Sequence, residues 1–336
     1  MGGALRGQYI VWFHWERRAE ELSDAFGYPV EFLRDVIPSR RVPWFVRLPV
    51  NYFWKTVATL LLLFRRRPQV VVAQSPPSFC AMVCQIYCSL TGARLVVDGH
   101  NGAYQAPWIR VPAYPSALES AHAVFVHNQE LLEPVQAILP RARLRVLYDR
   151  IPLRKMADGN GGEATKAFFL VVCSYDPDEP IAEMLGAASA FVERHGTEFE
   201  FRFTGDSRKQ REICELYQGR PGLIFTGFLS QADYDSMLAD AFAVLCLSTD
   251  ENVQQCGSIE AMAAGVPVIV SDSRTNQNIF PRGALLALNQ RDSVLSKLEE
   301  MVSKRDQLRT ELQSLRVERT ERWKANFQDL RAELAI

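Results

Sequence analysis

Residues 241–272, AFAVLCLSTDENVQQCGSIEAMAAGVPVIVSD, restrict the fold more than any other stretch of the chain. Residues 241–247 are a continuous apolar run of buried-strand length, residues 258–264 are a compact helix-forming segment stopped by Gly265, and residues 266–270 are a second buried strand. Two buried strands joined by a helix are expected to be parallel, because parallel strands need a crossover. Gly257, Ser258 and Ile259 open the helix, where backbone N–H groups and the positive dipole end favour a diphosphate. Glu260 lies beside them, and a carboxylate there can accept hydrogen bonds from a ribose diol. The plainer alternative is that Glu260 only caps its helix.

The 336 residues suit two domains of about 150 residues each. In the first half, strands at 8–13, 69–74, 94–98 and 123–127 alternate with helices at 16–26 and 79–90. In the second, strands at 168–173, 198–204, 222–225, 241–247 and 266–270 alternate with helices at 180–194, 208–217 and 231–238. Each half reads as a doubly wound α/β, Rossmann-like domain, and two of them are expected to face a central cleft. The run MADGNGGE at 156–163 is the clear glycine-rich break. The expected domains are therefore 1–155 and 164–290. Residues 291–336 form charged, helix-forming sequence of mixed sign that could cross back to the first domain.

The formal net charge is only −1, yet no acidic residue occurs between Asp35 and Asp98. That interval holds Arg40, Arg41, Arg47, Lys55, Arg65, Arg66, Arg67 and Arg94, interleaved with Trp44, Phe45, Tyr52, Phe53, Trp54 and Phe64. The mixture of bases and interfacial aromatics suits an anionic membrane surface. The apolar run at 57–64 falls far short of the ~20 residues that span a bilayer. The competing reading is a packing helix that ends in a solvated arginine cap. Nucleic acid is a weaker partner, since no recognition motif accompanies the bases. The first residues lack the long apolar core and cleavage site of a signal peptide, so a cytoplasmic location is expected. Seven cysteines without a CxxC pair read as reduced thiols. Cys80, Cys84 and Cys88 share one helical face without a histidine or carboxylate, so packing is expected rather than metal binding.

Ligands of open α/β sheets bind beyond the carboxyl ends of the strands. That rule selects the loops at 13–16, 74–78 and 98–104. The last, DGHNGAY, places Asp98 near His100, and a histidine close to a carboxylate can serve as general base for an acceptor hydroxyl. In the second half, Arg208 and Lys209 follow Thr204-Gly205-Asp206 and are candidate phosphate partners, with a solvated helix start as the alternative.

Glu260-Ala261-Met262-Ala263, Gly265, Pro267 and Val268 resemble the C-terminal domain of GT-B glycosyltransferases, in which this glutamate holds the ribose of a nucleotide-sugar donor. Retaining members usually carry a second glutamate eight residues earlier. Here Asn252 stands there, with Glu251 beside it. Their arginine and lysine after the first strand of that domain are replaced by the acidic run at 174–179.

Gln74-Ser75-Pro76-Pro77, the loop Asp98-Gly99-His100-Asn101-Gly102-Ala103-Tyr104 and Tyr148-Asp149-Arg150 resemble the chitobiosyldiphosphodolichol β-mannosyltransferases. The two resemblances together imply a transferase that moves a sugar from GDP-mannose or a UDP-sugar to a lipid-linked glycan, and no metal is expected, since no DxD-type carboxylate pair follows a strand in the first half. Ser75, Pro76, Pro77, Asn101 and Tyr104 would then lie on the acceptor side. The resemblances leave inverting and retaining chemistry both open. A catalytically silent subunit that binds a glycan or anchors a partner, and a sugar-nucleotide epimerase of the same fold, are the alternatives.

Overall fold

The computed structural model describes residues 5–37, 42–152 and 166–336, so the glycine-rich break at 156–163 lies outside the described residues. The chain divides into two units, Met1–Arg150 with Trp323–Ile336, and Ile151–Arg322.

The first unit is built on a six-stranded parallel sheet of β1 (Gly7–Val11), β2 (Val30–Phe32), β3 (Val70–Ser75), β4 (Arg94–Gly99), β5 (Ala123–Val126) and β6 (Leu144–Val146), in the order β2-β1-β3-β4-β5-β6. Its helices are α1 (Arg17–Phe26), α2 (Trp44–Arg66), α3 (Ser78–Thr91), α4 (Tyr114–Ser120) and α5 (Leu132–Ile138). The central strands are apolar on both faces, as a sheet covered by helices on both sides requires. Tyr9 and Val11 of β1 join one core cluster, and Ile10 with Trp12 join the other. The order reverses between β1 and β3, which places a crevice at their carboxyl ends.

The second unit holds β7 (Ala167–Val171), α6 (Ile181–His195), β8 (Phe199–Thr204), α7 (Arg211–Glu215), β9 (Leu223–Gly227), α8 (Gln231–Asp240), β10 (Ala243–Cys246), α9 (Cys256–Ala264), β11 (Val268–Ser271), α10 (Arg274–Ile279) and β12 (Ala284–Ala287). The sheet order β12-β11-β10-β7-β8-β9 is all parallel and reverses between β7 and β10. This is the doubly wound dinucleotide-type order, with its crevice at the β7/β10 switch point.

The charged tail is one 44-residue helix, α11 (Arg291–Leu334). Val294, Leu298, Met301, Leu308, Leu312 and Leu315 pack into the cores of the second unit. From Trp323 onward the helix belongs to the first unit. There Phe327 meets Phe26 edge-on at 4.7 Å, and the Trp323 indole donates to the Tyr148 carbonyl at 2.9 Å. The basic aromatic segment is the long helix α2. Strands β2, β6 and β12 are absent from the sequence reading; all three are sheet edges, and β2 and β6 have only three residues each.

Candidate functional site

In the first unit the strand-end loops sit on a buried charged centre. Glu16 N-caps α1 by accepting from the Arg18 and Ala19 N–H groups at 3.1 and 2.6 Å. This start aims Arg18 back under the sheet ends. Its guanidinium holds Asp98 through Nε and Nη2 at 3.0–3.1 Å, Asp149 through Nη1 at 2.6 Å and the Leu147 carbonyl at 2.8 Å. Tyr9 donates to the other side of Asp98 at 2.7 Å. Burial alone would push the Asp98 carboxyl up, but Arg18, helped by His100 and His127, overrides it and holds the group at about 2. Asp149 is likewise held far below the usual carboxylate range, chiefly by Arg18 against its own burial.

This geometry corrects the pairing of Asp98 with His100. Asp98 is fully buried and engaged by Arg18 and Tyr9, and its carboxylate lies 3.9 Å from His100 Nε2, beyond hydrogen-bond reach. The partner of His100 Nε2 is the Gln74 side-chain amide at 3.1 Å. With that amide donating, the imidazole carries its proton on Nδ1. His127, at the end of β5, crosses His100 edge-on at 4.5 Å, and its Nε2 is buried without a hydrogen-bond partner among the described residues. Burial, then the nearby Arg18 and His100 charges, push its imidazole down to about 3. The strand-end rule applied to residue 126 would have found His127. Nothing in the sequence marked Arg18.

Two acceptor-side residues prove to be internal. Ser75 is buried against the Tyr114 hydroxyl at 2.6 Å, and Tyr104 is buried with its hydroxyl donating to the Phe125 carbonyl at 2.7 Å. A Cβ on Gly99 would stand 2.0 Å from the Tyr104 hydroxyl oxygen, so that ring fixes the glycine of the loop. Pro76, Pro77 and Asn101 are half-buried at the sheet ends.

In the second unit α9 starts at the carboxyl end of β10, beside the switch point. Gln255 caps it, and its side chain donates to the Leu247 carbonyl at 2.7 Å. A Cβ at Gly257 would come within 2.7 Å of Val172 and 3.2 Å of the Cys246 sulfur, so only glycine lets the helix start seat on the strand ends. Ser258 turns both its N–H and its hydroxyl to the Gln255 carbonyl, at 3.1 and 2.7 Å, and Ile259 is buried in the core. These two side chains therefore face inward, and an anion would meet the helix through the backbone of its opening turn. Glu260 is half-buried and accepts from the Tyr234 hydroxyl on α8 at 2.7 Å. Tyr234 carried no sequence signal.

Exposed Glu251 accepts from the Arg274 N–H at 3.3 Å, at the start of α10, while the Asn252 N–H bonds Asp250 at 2.9 Å in a local turn. Arg208 forks onto Asp206 at 2.7 and 2.8 Å, and Lys209 meets Asp176 at 2.8 Å, so a phosphate would have to displace carboxylates to reach either cation. The acids at 174–179 are held internally. Glu179 accepts from the Ser174 and Asp176 N–H groups, closing the loop on itself, and Asp178 accepts from the Ser248 hydroxyl at 2.6 Å.

Of the bases assigned to a membrane face, Arg40 and Arg41 lie outside the described residues. Lys55 is a correction: it is buried, donates to the Trp12 carbonyl and pairs with Asp35 at 2.6 Å. Arg47 is half-buried, and Arg66 is engaged by Gln8 and Glu31. Arg65, Arg67, Trp44 and Trp54 are exposed. The helix is inverted. Asn51, Lys55, Thr59 and Leu63, at a spacing of four, form its buried stripe, whereas Phe53, Trp54, Leu61 and Phe64 face out. No helix among the described residues is long and apolar enough to cross a membrane.

Residues 167–304 match the family model described as glycosyl transferases group 1. No curated protein matches the chain. Among solved structures it is similar to Anabaena HepE in complex with UDP-glucose, at a TM-score of 0.71 and 12% identity over 98% of this chain and 100% of that one. It is similar also to sucrose-phosphate synthase from Thermosynechococcus elongatus, at 0.70 and 15% over 97% of each chain, and to a glycosyltransferase from Rickettsia africae, at 0.68 and 10% over 98% and 99%. At these identities the likeness establishes the fold, which is GT-B. Within the second unit, residues 167–304 carry the group 1 glycosyltransferase match, and the enzyme class it supports is that of the glycosyltransferases.

Proposed function

We propose that this protein transfers a sugar from a nucleotide-sugar donor, bound by the second unit, to a lipid-linked glycan bound by the first, while lying on the cytosolic face of a membrane. The inversion of α2 carries the lipid half of the reading. A helix that buries Asn51, Lys55 and Thr59 and exposes Phe53, Trp54, Leu61 and Phe64 reverses the pattern of a water-facing helix. The lack of acidic residues from 36 to 97 adds charge complementarity to an anionic bilayer. An epimerase acting on a free sugar nucleotide has no need of such a face.

The donor half is supported by the start of α9 at the β7/β10 switch point, with Glu260 one turn in. The helix dipole and backbone N–H groups would stabilise the departing nucleoside diphosphate, and Glu260 would hold its ribose. His100 would position the donor sugar if the reaction retains configuration; if it inverts, the Gln74 amide would have to release Nε2, or turn its oxygen to an Nε2–H and free Nδ1, for the ring to take the acceptor proton. GDP-mannose and UDP-sugars are both candidate donors.

Isothermal titration with GDP-mannose and UDP-glucose tests the reading. A hydrogen bond to a charged group contributes ~1.5–3 kcal/mol, so Glu260→Ala is expected to weaken the better nucleotide roughly 10- to 150-fold. Equal affinity in wild type and variant would remove Glu260 from the donor site. A wild-type chain that binds neither nucleotide would favour a silent scaffold.

A further inference from the structure

The first unit contains a cavity of about 300 Å³ that the sequence reading did not anticipate. Trp12 and Phe13 from the end of β1, Pro76 and Pro77 from the end of β3, and Leu48 and Tyr52 from α2 line it. It therefore occupies the β1/β3 switch point, where an open sheet of this order takes its ligand.

Most polar groups on its wall are engaged by protein, although the Tyr52 hydroxyl and the indole N–H of Trp108, which also lines it, have no hydrogen-bond partner among the described residues. Asn51 accepts from the Ile37 N–H at 2.9 Å and donates to the Ile37 carbonyl at 3.1 Å. Lys55 donates to the Trp12 carbonyl at 3.2 Å and pairs with Asp35, and the Trp12 indole N–H donates to Thr59 at 2.9 Å. A sugar ring entering here would lose water from several hydroxyls and find only the Tyr52 hydroxyl and the Trp108 indole N–H to bond, which costs free energy. A hydrocarbon has no hydroxyls to strip of water and loses less. An apolar cavity of ~150 Å³ holds benzene, so this one has room for roughly twelve carbons. Leu48 also lies one turn from Trp44, which is 69% exposed, so the apolar wall continues along α2 toward its exposed N-terminal end.

We propose that this cavity binds a single alkyl chain, the apolar portion of the acceptor, and that the glycan lies elsewhere. The assignment of the chain to an acceptor rests on the lipid-linked reading above. The probes are n-alkyl phosphates from hexyl to tetradecyl, below their micelle-forming concentrations, with inorganic phosphate and methyl mannoside as chainless references, all titrated calorimetrically into the full chain. Each added methylene is expected to tighten binding about fourfold, with a plateau near twelve carbons. Leu48→Trp fills the space and is expected to weaken dodecyl phosphate at least tenfold and move the plateau to shorter chains. Tyr52→Ala enlarges the space and moves it to longer ones, which keeps the test decisive if one variant does not fold. Phe53→Ser, on the outer face of α2, leaves the plateau in place.

A plateau unmoved by both cavity variants, or competition by methyl mannoside, overturns the proposal. Alkyl binding as described, with no lipid-linked acceptor glycosylated, sinks the transferase reading and leaves the alkyl site standing. Glycosylation of a lipid-linked acceptor with the same KM in Leu48→Trp as in wild type overturns the cavity assignment alone.

Discussion

The outer face of α2 gives a quantitative prediction. Trp44 and Phe53 are 69% and 72% exposed. Aromatic side chains present about 150–250 Å², so roughly 140 Å² on each ring stands in water, equivalent to ~3.5 kcal/mol per ring on full withdrawal. An interfacial helix seats its apolar face only ~5–10 Å deep, and half the area gives ~1.7 kcal/mol, about 20-fold in vesicle affinity per ring. The two positions are nine residues apart, which at 100° per residue sets the rings on opposite sides of the helix, so of the two only Phe53 lies away from the buried stripe and meets a bilayer seated on the outer face. Phe53→Ser should therefore bind anionic vesicles roughly 20-fold less tightly than wild type. Its thermal stability should not fall, because that ring is not part of a core cluster.

Co-sedimentation at low and high salt separates this term from the electrostatic one. Arg65 and Arg67 should add ~1 kcal/mol each that salt screens, whereas the aromatic share persists. Wild-type binding that is negligible at low salt, or that is unchanged in Phe53→Ser, would refute the argument and return α2 to the status of a packing helix.

Two further outcomes are expected. His100→Ala should cut transfer by about 10²–10⁴ with nucleotide affinity unchanged, because the residue lies in the first unit and is assigned to proton transfer or sugar positioning; near-normal turnover would make it structural. His127 has its imidazole pushed from 6.5 down to about 3 by burial, with Arg18 and His100 adding to it. The unfolded chain therefore takes up a proton that the folded one refuses as pH falls from about 6.5 to about 3, and stability declines across that window. His127→Gln should flatten the decline in urea midpoints. Glu21, raised to about 7 by burial against the pull of Arg17, works in the opposite sense in both proteins, so the wild-type minus variant difference is the diagnostic. An unchanged slope would mean that His127 titrates freely in the folded state.

Apart from the edge strand at 222–225, the strands visible in the sequence were those buried on both faces. Residues 70–75 and 243–246 show as apolar runs because helices cover both sides of the sheet. Edge strands such as Val30–Phe32 have no such run, since one flank faces solvent and pairing alone defines them. The helix start at Gly257 was legible for a related reason: the close approach to Val172 and Cys246 forces a glycine into the sequence. Long-range partners leave no local trace. Tyr234 reaches Glu260 from a different helix, and Arg18 reaches Asp98 from eighty residues away. Lys55 was misread because a lysine among aromatics looks interfacial until Asp35 and the Trp12 carbonyl are seen to receive it.

Arg18 gives the first unit its internal logic. Asp98 and Asp149 belong to two separate motifs, one ending β4 and one following β6, and a single guanidinium joins them. Breaking a buried pair by removing one partner typically costs 3–5 kcal/mol, because an uncompensated charge remains. Each motif thus depends on the other through α1, whose start is fixed by the Glu16 cap. The carboxylates are unsuited to proton transfer at neutral pH, since Arg18 holds both ionised and buried. The charge-bearing groups lie beneath the strand ends, while His100 lies at the surface of the same centre with its ring held by Gln74. A rigid ionic floor fixes where the imidazole above it sits, which is the geometric requirement of the positioning or acid-base role proposed for His100.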